Sequence, residues 1–161
     1  MANENNFSHL NKDGHAAMVD VTNREVSIRI AAASGKVILA KEVILALENK
    51  SVPKGDVLAT ARIAAIMGAK RTSELIPLCH PIGIHGVKVD LTIVEDGVEI
   101  EVEIKTADRT GVEMEALTAA AVAALTIIDM TKSMDPTSII SEIKMNSKSG
   151  GRNGIWHRGT N

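Results

Sequence analysis

The residues of this chain best suited to moving protons stand at the two ends of one apolar segment. Glu113 and Glu115 open it, Asp129 and Lys132 close it, and residues 116–128 carry no charge at all. In a helix, Asp129 and Lys132 share a face, so a lysine and a carboxylate can couple for proton transfer, with pKa values moved by burial. A structural ion pair is the plainer account of the same two residues. Glu113 and Glu115 would lie in a first helical turn, where the helix dipole stabilises carboxylates. Asp129 has no such benefit, because an acid near the C-terminal end opposes the dipole.

Two other stretches carry usable groups. In Lys54-Gly55-Asp56 the aspartate reads as an N-cap, which sets Lys54 beside free backbone N–H groups, a natural anion site. A turn lysine next to a capping residue is the structural alternative. Lys70 and Arg71 fall near the end of the same helix, where cations are favoured. Leu78-Cys79-His80 is bracketed by Pro77 and Pro81 and cannot be helical throughout. His80 held there could serve as acid, base or phosphate-binding donor, or simply as a hydrogen-bonded structural histidine. A metal site is not expected, since neighbouring side chains in an extended segment diverge and no second ligand pair has zinc-like spacing.

The elements that must position these groups follow from periodicity. From Arg24 the chain alternates as a half-buried strand, with Val26, Ile28 and Ile30 on the apolar face and Ser27 and Arg29 on the other. It is expected to break at Ser34-Gly35 and to resume at Val37. A short helix follows over residues 40–49, and a second runs from Asp56 to about Ser73. Val87, Val89, Leu91 and Ile93, then a turn at Glu95-Asp96-Gly97, then Val98, Ile100, Val102 and Ile104, read as a β-hairpin with one charged face. The apolar helix comes next, and a last strand covers about residues 138–148. This order predicts an α+β fold of split-βαβ, ferredoxin-like type, an antiparallel sheet with helices on one face. Residues 1–17 are expected to form a flexible arm, 18–151 a single catalytic domain, and 152–161 a flexible tail.

Geometry then sets a problem. Glu115 and Asp129 are fourteen residues apart, about 21 Å along a helix axis and within roughly 40° of one face. One small-molecule site cannot easily use both ends. A symmetry-related subunit could bring the two ends together, so an oligomer with interfacial sites is expected.

Composition narrows the classes. The chain has one Phe, one Trp and no Tyr, so the aromatic stacking used by single-stranded nucleic-acid binders and RRM-type domains is missing from the hairpin strands. A net charge of -2 provides no polyanion footprint. The single cysteine, Cys79, excludes an internal disulfide or a four-thiolate cluster within one subunit and fits a reducing cytosol. No secretory signal is evident, and the thirteen uncharged residues 116–128 fall short of the roughly 20 that span a bilayer. A soluble, cytoplasmic protein is expected.

Taken together, three blocks resemble the molybdenum cofactor biosynthesis protein C family. They are Lys54-Gly55-Asp56 through Ala61-Arg62-Ile63-Ala64 to Lys70-Arg71-Thr72; Leu75-Ile76-Pro77-Leu78-Cys79-His80-Pro81; and Thr110-Gly111-Val112-Glu113-Met114-Glu115-Ala116-Leu117 to Asp129-Met130-Thr131-Lys132. Met18-Val19-Asp20-Val21 and Lys148-Ser149-Gly150-Gly151 extend the resemblance over about residues 18–151. Ile128 and Thr131 depart from it, standing where family members often carry an aromatic and a cysteine.

The resemblance implies a cyclic pyranopterin monophosphate synthase, which converts 3′,8-cyclo-7,8-dihydro-GTP to cyclic pyranopterin monophosphate and pyrophosphate. That substrate would come from an upstream radical S-adenosylmethionine enzyme. By position, Asp129 and Lys132 would be the central acid/base pair, supported by Lys54, Lys70, His80 and Glu113. Leu78, Cys79, His80, Met114, Glu115 and Lys148 would contact substrate. No cofactor is required, although Mg²⁺ could accompany the triphosphate. The resemblance further implies a hexamer, a trimer of dimers with sites at the dimer interface. The alternative of another class is a ferredoxin-like module that binds a small ligand without catalysis.

Overall fold

A computed structural model describes residues 13–152 and 154–159. The part of the expected N-terminal arm at residues 1–12 lies outside the described residues. The elements in order are β1 (Ser27–Ile38), α1 (Lys41–Glu48), α2 (Val57–Lys70), α3 (Thr72–Leu75), β2 (Gly86–Val94), β3 (Gly97–Asp108), α4 (Glu113–Thr131), β4 (Ile139–Ser149) and β5 (Trp156–His157). All pairings are antiparallel, and the sheet runs β2-β3-β1-β4-β5. Strand β3 therefore splits the β1–β2 crossover and β1 splits the β3–β4 crossover. This is the ferredoxin-like α+β arrangement.

The hairpin forms in the expected register. Val98, Ile100, Val102 and Ile104 are buried beneath the helices, and the intervening glutamates Glu99, Glu101 and Glu103 are exposed. Helix α4 lies on β1, β3 and β4 and packs on its other side against α2. That position explains its alanines. Ala116, Ala119, Ala120, Ala123 and Ala124 are fully buried, and small side chains let the backbones of the layers approach. Helix α2 answers with Ala61, Ala65, Ala69 and Gly68; a β-carbon at Gly68 would stand 2.9 Å from Val122 Cγ2.

Strand β1 corrects the sequence reading twice. It is continuous through Ser34-Gly35, which pair with Glu101 and Ile100 on one side and Lys144 and Ile143 on the other. Gly35 leaves space that Ile143 Cδ1 fills, 2.7 Å from where a β-carbon would be. The inward face is also the opposite one. Ala31, Ala33 and Val37 are buried, whereas Val26 and Ile28 are 56% and 61% exposed. Local alternation gives the period but not which parity meets the helices, and beneath a closely packed helix small residues win.

Helix α2 stops at Lys70 instead of Ser73. Its N-cap is Asp56, whose carboxylate accepts from the Ala59 N–H at 2.9 Å. At the other end the buried Thr72 hydroxyl donates to Gly68 and Ala69 carbonyls (3.3 and 3.0 Å), closing the helix before the single turn α3. Past α4, buried Asp135 ties the turn into β4 to the start of α1, accepting from the Ala40, Thr137 and Ser138 donors. The segment after Arg152, expected as a flexible tail, carries the short strand β5.

Candidate functional site

The N-terminal end of α4 opens into a cavity of about 980 Å³. Four segments wall it: residues 19–30 entering β1, the Leu78-Cys79-His80 turn, residues 110–115 leading into α4, and residues 148–152 leaving β4. Leu78, Cys79, His80, Glu113, Met114, Glu115 and Lys148 all line it.

Glu115 sits 4% exposed on the cavity wall. Burial pushes its carboxyl up to about 7, against the pull of its own backbone N–H, and the neighbouring Glu113 charge adds to the rise. It can therefore give or take a proton near neutral pH. Glu113 is held differently. Its Oε1 accepts from Lys148 Nζ at 3.0 Å, joining the first turn of α4 to the end of β4. Gly111 makes that possible, because a β-carbon there would overlap the Glu113 carboxylate.

His80 Nε2 lies 2.7 Å from the Val19 carbonyl. A carbonyl only accepts, so Nε2 carries the hydrogen and Nδ1 is left as the basic nitrogen. Cys79 is a poor nucleophile here, since burial and then the Glu115 charge push its thiol up.

Arg29 was not singled out from sequence, because the wrong parity of β1 assigned it to the solvated face. It lines the cavity instead, as do Arg24 and Arg152. Its Nη2 donates to the Arg109 carbonyl at 3.2 Å, while its buried Nε has no partner. Gly151 packs directly on this guanidinium, where any β-carbon would overlap it. A charged residue within an apolar alternation was the signal available.

The far end of α4 carries a second group. Asp129 Oδ1 receives Lys132 Nζ at 2.6 Å, and Asp129 Oδ2 receives Lys54 Nζ at 3.1 Å. Lys54 also donates to the Asp129 carbonyl at 2.7 Å. These side chains are 42–59% exposed. Hydrogen bonds from Lys132 and then Lys54 hold the Asp129 carboxyl below its ordinary range. The expected influence of burial on this pair is thus replaced by charge pairing at the surface. The group lines no part of the cavity. Lys70, exposed in the last turn of α2, belongs to neither group, and Lys144 pairs with Glu142 at 2.7 Å. Within one chain the structure divides the expected residues between two places about 21 Å apart along α4.

Helix α4 is the one described helix long and apolar enough to cross a membrane, and it is packed into the core.

Comparison with known proteins places these features in a family. The model of the MoaC family matches residues 18–151, which include both ends of α4 and all of the cavity lining except Arg152. The cyclic pyranopterin monophosphate synthase of Streptomyces griseus is 52% identical over 158 residues, covering 98% of this chain and 89% of the relative. That of Streptomyces coelicolor is 52% identical over 155 residues, covering 96% and 91%. Cyclic pyranopterin monophosphate synthase 2 of Mycobacterium tuberculosis strain H37Rv is 49% identical over 152 residues, covering 94% and 91%. With a family match over most of its length and relatives at about half identity, the chain belongs to the MoaC family.

Proposed function

We propose that this chain is a cyclic pyranopterin monophosphate synthase of molybdenum cofactor biosynthesis, a lyase that converts 3′,8-cyclo-7,8-dihydro-GTP to cyclic pyranopterin monophosphate and releases pyrophosphate. The observation that carries the reading is the cavity at the start of α4, which joins proton-transfer groups to cations in one container. Reorganising the guanine-derived rings requires several proton transfers. Glu115 with a pKa of about 7 and the free Nδ1 of His80 are placed for them. Closing a cyclic phosphate while pyrophosphate leaves builds negative charge on phosphate oxygens, and Arg24, Arg29, Lys148 and Arg152 supply positive charge along the wall.

Asp129, Lys132 and Lys54 complete the chemistry from a second copy of the chain. Asp129 stays ionised between its two lysines and holds both cations in fixed geometry for a substrate that approaches from outside its own subunit. Lys70, exposed at the end of α2 away from Lys54, adds a further cation on the helix layer. Apolar residues left exposed on both outer faces support self-association: Ile63, Met67 and Leu125 on the helices, Ile28, Ile38 and Ile139 on the sheet. The assembly is a homohexamer, a trimer of dimers working in the cytoplasm, with its substrate supplied by a radical S-adenosylmethionine enzyme. No resident metal is used, and any Mg²⁺ arrives with the triphosphate.

The test is incubation of the purified protein with authentic 3′,8-cyclo-7,8-dihydro-GTP, measuring pyranopterin and pyrophosphate. Stoichiometric formation of both is expected. Binding without pyrophosphate release would instead indicate a ligand-binding module.

A further inference from the structure

The last described residues fold back on the functional end of β4. Trp156 pairs with Lys148 and His157 with Ser147, so β5 covers the outer edge of β4 at the residue whose ammonium holds Glu113. Arg158 fastens this contact twice. Its N–H donates to the Asn146 carbonyl at 2.8 Å and its Nε to the Met145 carbonyl at 2.7 Å. The guanidinium also lies 5.9 Å from the centre of the Trp156 ring.

Between the two strands, the chain reverses through Gly150 and Gly151, both with positive φ (94° and 72°), and Gly154 N–H returns to the Gly151 carbonyl. Glycines in that conformation are permissive, so the path of this reversal is set by its contacts, Gly150 against the Ile28 carbonyl and Gly151 against the Arg29 guanidinium, and by the strand that follows. Residues 154–159 are all exposed, so β5 adds little to the hydrophobic core. Its bonds fall instead on the strand end that bears a cavity cation.

We infer that the segment Trp156–Arg158 is a positioning element for the cavity: by pairing with β4 it holds Lys148 and the residue 149–152 wall in place before substrate arrives. The inference rests on the reading of the cavity as the substrate site. The physical gain is preorganisation. Strand β1 pairs with this strand end on its inner edge, Ala31 with Lys148 and Ile30 with Ser149; β5 closes the outer edge, and the added order is not left to be gained when ligand binds. Arg158 does not line the cavity and acts only through Lys148 and its neighbours.

Variants of the full-length chain test this. Arg158→Pro removes both the amide that reaches Asn146 and the guanidinium that reaches Met145, whereas Arg158→Ala keeps the amide. With the cyclised GTP, KM should rise roughly tenfold in Arg158→Pro and roughly threefold in Arg158→Ala, with kcat within about twofold of wild type. Hydrogen exchange supplies a readout that a merely structural strap would not move. Docking of β5 and ligand binding are reciprocal, so saturating cyclic pyranopterin monophosphate should slow amide exchange at residues 156–158. Unchanged KM in both variants, with exchange indifferent to product, overturns the inference whatever happens to Tm. Lys148→Ala separates the two levels of the argument. A raised KM in Lys148→Ala beside a normal KM in both Arg158 variants keeps the cavity as the substrate site and removes the role of the tail. A normal KM in Lys148→Ala defeats the cavity reading and the tail's role with it.

Discussion

The two ends of α4 hold carboxylates in opposite states. At the start, Glu115 is buried and pushed up to about 7, inside a cavity assembled from four chain segments. At the end, Asp129 is exposed and held below its ordinary range by Lys132 and Lys54, and it lines no part of that cavity. The same functional group is thus tuned by desolvation in one place and by charge pairing in the other. One end is a container with a carboxyl poised near neutrality; the other is a fixed charge cluster open to whatever docks beside it. On the proposed function neither alone has the full set of groups, and a helix of this length keeps them apart within a chain.

Removing the charge cluster should have the largest effect. Asp129→Asn and Lys132→Ala are each expected to lower turnover by about 10²- to 10⁴-fold while the assembly stays intact by sedimentation. Near-normal rates in both would show that this end is only a surface ion pair.

Glu115→Gln sharpens the other side of the comparison through stability. The folded carboxyl keeps its proton up to about 7, whereas the unfolded one releases it near 4.5. Between those values the folded state binds more protons, so wild-type stability should fall as pH rises through that window. The glutamine variant should lack that slope and gain up to about 3 kcal/mol relative to wild type at pH 8, with little difference at pH 4. Denaturant melts of the two proteins that stay parallel across this range would contradict the buried-carboxyl account. The smallest effect is expected at Cys79. Its thiol is pushed up by burial, so iodoacetamide should modify it more slowly at pH 7.5 than it modifies free cysteine. Rapid modification would place a thiolate in the cavity.

Much of this arrangement can be read from the chain. The hairpin shows because its alternation is strict and its turn residues are unambiguous, and Asp56 shows because an N-cap acts within three residues. The cavity-lining turn at Leu78-Cys79-His80 shows because its prolines forbid a helix. What is not local is not legible. The inward parity of β1 depends on how closely α4 packs on it, so the large side chain of Ile28 points outward and Ala31 and Ala33 point in. Arg29 was lost by the same error, since it shares the parity of those alanines. The pairing of β5 with β4 was hidden too, because two residues in a glycine-rich tail carry no periodicity of their own.

The central claim is that the cavity of one subunit works with the Asp129 group of another, and subunit mixing tests it most directly. An Asp129→Asn chain and a His80→Ala chain, each inactive alone, are co-expressed and purified as a mixed assembly. If each site draws one end of α4 from each partner of a two-fold pair, half of the pairs are mixed and each mixed pair regains one intact site. About a quarter of wild-type activity should then return. No recovery, with mixed assemblies present by mass, would contradict a shared site and place all of the chemistry within single chains.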